Sequence, residues 1–171
     1  QMKPKVAIVG YGAEGQSAYR YFAAQGADIT VYHKEHPADL PPNARVVEDA
    51  HARELMGYDI VVRSPAIAPA NLHTDGRITT VTKEFFSVFD PARIIGVTGS
   101  KGKGTISALI HAMLQAAGKR VHLAGNIGVP ALDLLPEVKD GDYVVLEMSS
   151  FQLWDLESSP HIAVIGMITP D

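Results

Sequence analysis

The chain has no cysteine among its 171 residues. Disulfides and thiolate metal sites are therefore excluded, and the composition fits a reducing cytoplasm. Nor does it carry an excess of positive charge: 15 Lys and Arg stand against 19 Asp and Glu, a formal net charge of −4. No basic field argues for nucleic acid, so any anionic ligand must be met by local donors. No apolar run reaches the roughly 18 residues that a membrane span requires. The opening QMKPKVAIVG lacks a signal-peptide pattern. The expectation is a cytoplasmic protein with neither nucleic acid nor membrane as partner. Apolar residues at 46% and charged residues at 20% are ordinary for a globular chain. The length suits one large domain or two small ones.

Strand-loop-helix units repeat along the chain, the signature of a parallel α/β sheet. KVAIVG (5–10) and DITVYH (28–33) read as buried strands around a helix stopped by Gly26. RVVED opens a shorter unit, YDIVVRSPAIAPA (58–70) is a strand running to Ser64-Pro65, RITTV (77–81) is a fifth strand, and KEFFSVF (83–89) is helical. Asp90-Pro91 marks the expected boundary, giving a Rossmann-like domain over 1–92 and an ATPase-type α/β domain over 93–171. In the second half RIIGVT (93–98), RVHLAG (120–125), DYVVLEMSS (142–150) and the start of HIAVIGMITPD (161–171) read as strands. The helix after the 99–105 loop places Ile106, Leu109, Ile110, Met113, Leu114 and Ala117 on one face. Phe151 and Trp154 are expected in the core. A unit that stops on a strand reads as unfinished, so a piece of a longer protein is expected, with an open edge that invites self-association.

Two glycine loops carry the chemistry. GYGAEG (10–15) fits G-x-G-x-x-G between a strand and a helix, where backbone can approach a phosphate beside the helix's positive end. A dinucleotide site would add an acid at the end of the second strand, but that end reads Val31-Tyr32-His33-Lys34 and Glu35 comes late. NAD(P), another nucleotide-like ligand and a plain glycine turn all stay open, the second being favoured. GVTGSKGKGT (96–105) is a variant phosphate loop. Lys103 follows Gly102 at a helix mouth, but Gly104 stands where the common loop has a magnesium-binding hydroxyl, leaving Thr105 as the nearest one. Glu147, ending an apolar strand, would reach the same strand-end crevice and hold Mg²⁺ against nucleotide phosphates. The seven histidines show no metal-ligand spacing.

TGSKGKGT (98–105), AGNIGVPALDLL (124–135) and LEMSSFQL (146–153) resemble the Mur ligases of peptidoglycan synthesis, and IVGYGAEGQS and SPAIA (64–68) resemble segments of the branch that adds D-glutamate. The resemblance covers the whole 171 residues. It implies an ATP-dependent amide ligase whose substrates are UDP-N-acetylmuramoyl-L-alanine and D-glutamate, with an acyl-phosphate intermediate. By carry-over, Gly99, Ser100, Lys101, Gly102, Lys103, Gly104 and Thr105 would cradle ATP. Lys103 and Glu147 would be the catalytic pair, with Glu147 and Thr105 on Mg²⁺. Asn126, Ser149, Ser150 and Gln152 would line the muramoyl-alanine side. Gly12, Ala13, Glu14, Gly15, Ser64 and Pro65 would contact the uridine diphosphate end, with His33 and Lys34 where the family has a uridine-contacting acid and hydroxyl. Three positions depart from the pattern: Lys101 replaces an asparagine, Gly104 a serine or threonine, and Met167 an asparagine. The G-K-G-T loop resembles the folylpolyglutamate synthase branch, one alternative; an oxidoreductase module using the first domain is the other. The resemblance also implies that residues 1–171 alone would not ligate.

Overall fold

The computed structural model describes residues 3–49 and 52–169. Pro170 and Asp171, read above as the end of the last strand segment, lie outside them. The chain forms two compact units that divide between Val81 and Thr82, ahead of the Asp90-Pro91 position at which the sequence restarts its strand pattern.

The first unit is one parallel sheet of β1 (Lys5–Val9), β2 (Asp28–Tyr32), β3 (Arg45–Val47), β4 (Ile60–Arg63) and β5 (Arg77–Thr79), in the order β3-β2-β1-β4-β5. This is the Rossmann-like arrangement, with β1 central and the order reversing beside it. Val6 to Val9 are buried throughout, as a strand covered on both faces must be. Helix α1 (Ala13–Ala24) buries Gly15, Ser17, Ala18 and Phe22, and lies on the face to which Ile8 points. By alternation Ala7 and Val9 face the other way. There Leu55, Leu72, Tyr58 and Ile67, from irregular segments, close the core. Tyr32 and Tyr58 share a hydroxyl–hydroxyl hydrogen bond of 3.0 Å on that side. Strand β4 is shorter than the sequence suggests because Pro65 has no N–H for the ladder.

The second unit opens with α2 (Val81–Val88), which straddles the division, and a short turn at Pro91–Arg93 capped by Asp90, whose carboxylate accepts from the Ala92 N–H. Then come β6 (Ile94–Thr98), α3 (Lys103–Ala116), β7 (Val121–Gly125), β8 (Tyr143–Glu147), α4 (Ser150–Leu153) and β9 (Ile162–Ile165). Their order is β7-β8-β6-β9, all parallel. The α/β class expected from the sequence holds in both units. Helix α3 turns Ile106, Ile110 and Leu114 onto Val97, Val121 and Val145. Leu109 and Met113, expected on that face, are instead about 60% exposed (58% and 62%). The apolar stripe of α3 is wider than the face it buries. Phe151 and Trp154 also depart from expectation: both are half exposed and pack edge to face, with ring centroids 5.0 Å apart. No helix among the described residues is long and apolar enough to cross a membrane.

Asp142 staples the N-terminal ends of β7 and β8. Only 2% exposed, it lies 2.8 Å from His122 Nε2, pairs with Arg120 Nε at 2.9 Å and accepts from Arg120 Nη2 at 3.3 Å and the Lys139 N–H at 3.0 Å. The His122 hydrogen bond, then that from Lys139, hold its carboxyl below the usual aspartate range against the opposing effect of burial, with the charge of Arg120 adding. A depressed folded value means that the stability it supplies is complete above the ordinary pKa of about 3.9 and is withdrawn as pH falls through the lower folded value. Asp142→Asn is therefore expected to melt lower at pH 7 and to lose less melting temperature than the parent on acidification below pH about 4. Parallel acid profiles for the two proteins, measured by circular dichroism, would contradict the linkage.

Candidate functional site

The phosphate loop leaves the C-terminal end of β6. Gly99 has φ +141, and a side chain there would press on Gly166 and the Met167 carbonyl at 3.1 Å, so glycine is required by space as well as by torsion. Gly102 stands at the helix N-cap with φ +80 and offers no side chain to cap it. The first N–H groups of α3, at Lys103, Gly104 and Thr105, precede the first intrahelical bond, which Ile106 N–H makes to Gly102. A 14-residue helix thus presents its positive end and unclaimed donors directly after a glycine turn, the physical form of an anion site. Lys103 Nζ is drawn over the loop, donating to the Gly99 carbonyl at 2.8 Å and the Ser100 carbonyl at 3.5 Å. Gly104 has a local reason: a Cβ there would meet Ile127 Cδ1 at 3.3 Å. Thr105 is exposed on the same turn.

The loop is also tied to the segment after β9. Ser100 N–H donates to Met167 at 2.7 Å, its hydroxyl donates to the Thr169 carbonyl at 3.2 Å and accepts from the Thr169 N–H at 3.0 Å, and Lys101 bridges Met167. Sequence reading noted Met167 only as a departure from the family pattern and missed this clamp, because nothing local joins that segment to the loop until β9 is known to lie beside β6.

Glu147 ends β8 in register with Val97, at the same sheet edge as the loop, and is 5% exposed. Beside it, Gly125 ends β7 with φ +106, and the Asn126 N–H donates to the Glu147 carbonyl at 3.2 Å. Among the described residues no three His, Asp or Glu side chains form a metal cage. One carboxylate beside a phosphate loop suits magnesium, which is held by one or two protein oxygens together with substrate phosphates. The residues fit that ion in that sense: the Glu147 carboxylate and the Thr105 hydroxyl are the protein oxygens that could hold it.

The predicted muramoyl-side residues divide. Ser149 and Gln152 form a capping box for α4: the Gln152 carbonyl oxygen Oε1 accepts from the Ser149 N–H at 2.8 Å and Ser149 Oγ accepts from the Gln152 N–H at 3.4 Å. Gln152 is fully buried, whereas Ser150 and Asn126 are exposed.

In the first unit, the Gly10–Gly15 loop and the Ser64-Pro65 turn meet at the C-terminal ends of β1 and β4. A side chain at Gly10 (φ +92) would touch Ser64 Cβ at 3.0 Å, and one at Gly15 would overlap the Gly10 carbonyl. Gly12 and Ala13 are exposed at the mouth, and Glu14 lies in the first turn of α1. Burial, with smaller contributions from Asp39 and Tyr19, pushes the Tyr11 phenol up to about 12, so it is neutral at physiological pH and does not repel an anion. His33 is half buried at the exit of β2, and exposed Lys34 pairs with Glu35 at 3.3 Å. Arg63, just before Ser64, went unnoticed in the sequence although an arginine inside IVVR was the signal; it is 1% exposed and grips the 64–67 turn.

Comparison with known proteins agrees with this geometry. Residues 97–171 match the Mur ligase middle domain. Over 98% of its length the chain is 36% identical to a UDP-N-acetylmuramoylalanine–D-glutamate ligase of Acetivibrio thermocellus, covering 39% of that protein. It is 34% identical to the like-named enzyme of Clostridium acetobutylicum, covering 39%, and 32% to that of Clostridium botulinum strain Hall, covering 40%, again over 98% of the chain. The chain thus spans about two fifths of the length of these relatives. The second unit thus matches the middle domain of the Mur ligases, and D-glutamate ligase relatives align along both units.

Proposed function

We propose that the two units are the UDP-substrate and ATP-binding parts of a ligase that joins D-glutamate to UDP-N-acetylmuramoyl-L-alanine. The observation that carries the ATP half is the uncapped start of α3 behind Gly99–Gly102, with Lys103 folded over the loop. The names of the aligned relatives support the substrate half.

In this reading the alanine carboxylate attacks the γ-phosphorus of ATP, ADP leaves, and an acyl phosphate forms. The amine of D-glutamate then attacks the acyl carbon, phosphate departs, and the amine loses a proton. Phosphorylation is needed because a free carboxylate has no adequate leaving group. The chain's own residues position and neutralise. The first N–H groups of α3 would donate to phosphate oxygens, Lys103 would move from loop carbonyls to the β and γ groups, and Glu147 and Thr105 would hold Mg²⁺. That ion supplies charge neutralisation on the phosphates. In the first unit, the amides around Gly12–Gly15 and the Ser64-Pro65 turn take the diphosphate, His33 and Lys34 lie toward the uridine, and Asn126 and Ser150 offer exposed polar groups toward muramoyl-alanine.

The test is a calorimetric titration of the chain with UDP-N-acetylmuramoyl-L-alanine, with UDP and NAD in parallel. Saturable binding tighter than that of UDP, and none of NAD, is the expected result. Binding of NAD alone would replace this reading with an oxidoreductase module.

A further inference from the structure

Resting on that substrate reading, we infer that Arg63 is a positioning residue for the diphosphate: its guanidinium gathers the carbonyls of residues 64, 65 and 67 and so turns the amide side of that turn toward the ligand. Among the described residues Arg63 is the only lysine or arginine that is buried. Its Nη1 lies 3.1 Å from the Ile67 carbonyl oxygen, 3.2 Å from that of Pro65 and 3.4 Å from that of Ser64. A buried guanidinium is costly unless its donors are satisfied. A strand that needed only packing would be served by valine, as at the neighbouring Val61 and Val62.

The placement gives the cost a purpose. Arg63 is the register partner of Val9, the residue before the Gly10–Gly15 loop, and the Ser64 N–H is held by the Val9 carbonyl at 2.9 Å. Its charge therefore lies beneath both loops at the sheet's reversal point. Neither loop carries a lysine or arginine, and Glu14 adds a negative charge at the helix start. The turn closes through the Ile67 N–H to the Ser64 carbonyl at 3.0 Å. With three carbonyls drawn inward, the lone pairs that would repel phosphate oxygens face Arg63 instead. The N–H of exposed Ala66 meets no backbone carbonyl among the described residues.

The experiment compares the parent chain with Arg63→Lys and Arg63→Met. UDP and ATP affinities are measured by calorimetry, and the Ile67 amide is followed by hydrogen exchange. Lysine keeps the charge, but its side chain ends one atom short of Nη1, so its ammonium cannot stand where Nη1 meets the three carbonyls. Expected results are a loss of UDP affinity of about tenfold in Arg63→Lys and more in Arg63→Met, faster Ile67 exchange, and unchanged ATP affinity. If Arg63→Met does not fold, Arg63→Lys alone decides. Unchanged UDP affinity in folded Arg63→Lys overturns the role of Arg63. Equal losses of UDP and ATP affinity also overturn it, since they signal general destabilisation. Failure of the parent itself to bind UDP removes the substrate reading, and this inference with it.

Discussion

Lys103→Met is expected to weaken ATP binding by about 30-fold or more while leaving UDP affinity unchanged. The lysine Nζ already sits over the phosphate loop through the Gly99 and Ser100 carbonyls. On binding it would exchange two neutral acceptors for charged phosphate oxygens, which adds a direct attraction between opposite charges. Methionine keeps the length and apolar stem but offers no donor. The loss should be smaller for ADP than for ATP, because the γ group brings additional charge to the site. Titrations with both nucleotides, at matched free magnesium, check this. Equal affinities in parent and variant would remove Lys103 from the site and leave the helix terminus as its sole anchor.

Gly125→Ala is expected to destabilise the second unit by at least about 3 kcal/mol and to abolish magnesium-dependent nucleotide binding. Two independent penalties act there. The residue has φ +106, which an L side chain rarely adopts, and its Cβ would overlap the carbonyl oxygen of Glu147. Relief requires β7 and β8 to separate at their C-terminal ends, where Gly125 and Glu147 are register partners. That separation carries the Glu147 carboxylate with it. Chemical denaturation measures the first effect, and ATP titration with and without magnesium the second. Gly118→Ala is the control: φ +74 also strains it, but a Cβ would meet no atom within 4 Å, so its cost should be torsional alone. Similar losses in the two variants would show that the contact with Glu147 adds nothing.

Much of this architecture could be read from residues because parallel strands are short, apolar and followed by glycine. VAIVG and IIGVTG announced β1 and β6 in that way, and YVVLE announced β8 by its apolar run alone. The α3 face was harder: helical spacing groups Leu109 and Met113 with Ile106 and Ile110, and only the position of the sheet decides which part of the stripe it covers. The SSFQL segment shows a second limit. Its polar residues read as ligand contacts, yet two of them are spent on each other at the start of α4. A capping box and a binding motif share the same alphabet of serine and glutamine. Arg63 and the Ser100–Thr169 clamp depend on pairing across the sheet, which local sequence does not encode.

Both glycine loops leave a central strand whose two neighbours form at different times along the chain. Val6 is paired with Ile29 on one side and Ile60 on the other; Ile95 is paired with Val145 and Ile162. During synthesis the loop sequence thus emerges long before the strand that walls its second side. Closing such distant pairs is the slow part of building a parallel sheet. Each loop is walled on both sides only once the far strand has docked, so a ligand that needs both walls would be captured only after that step.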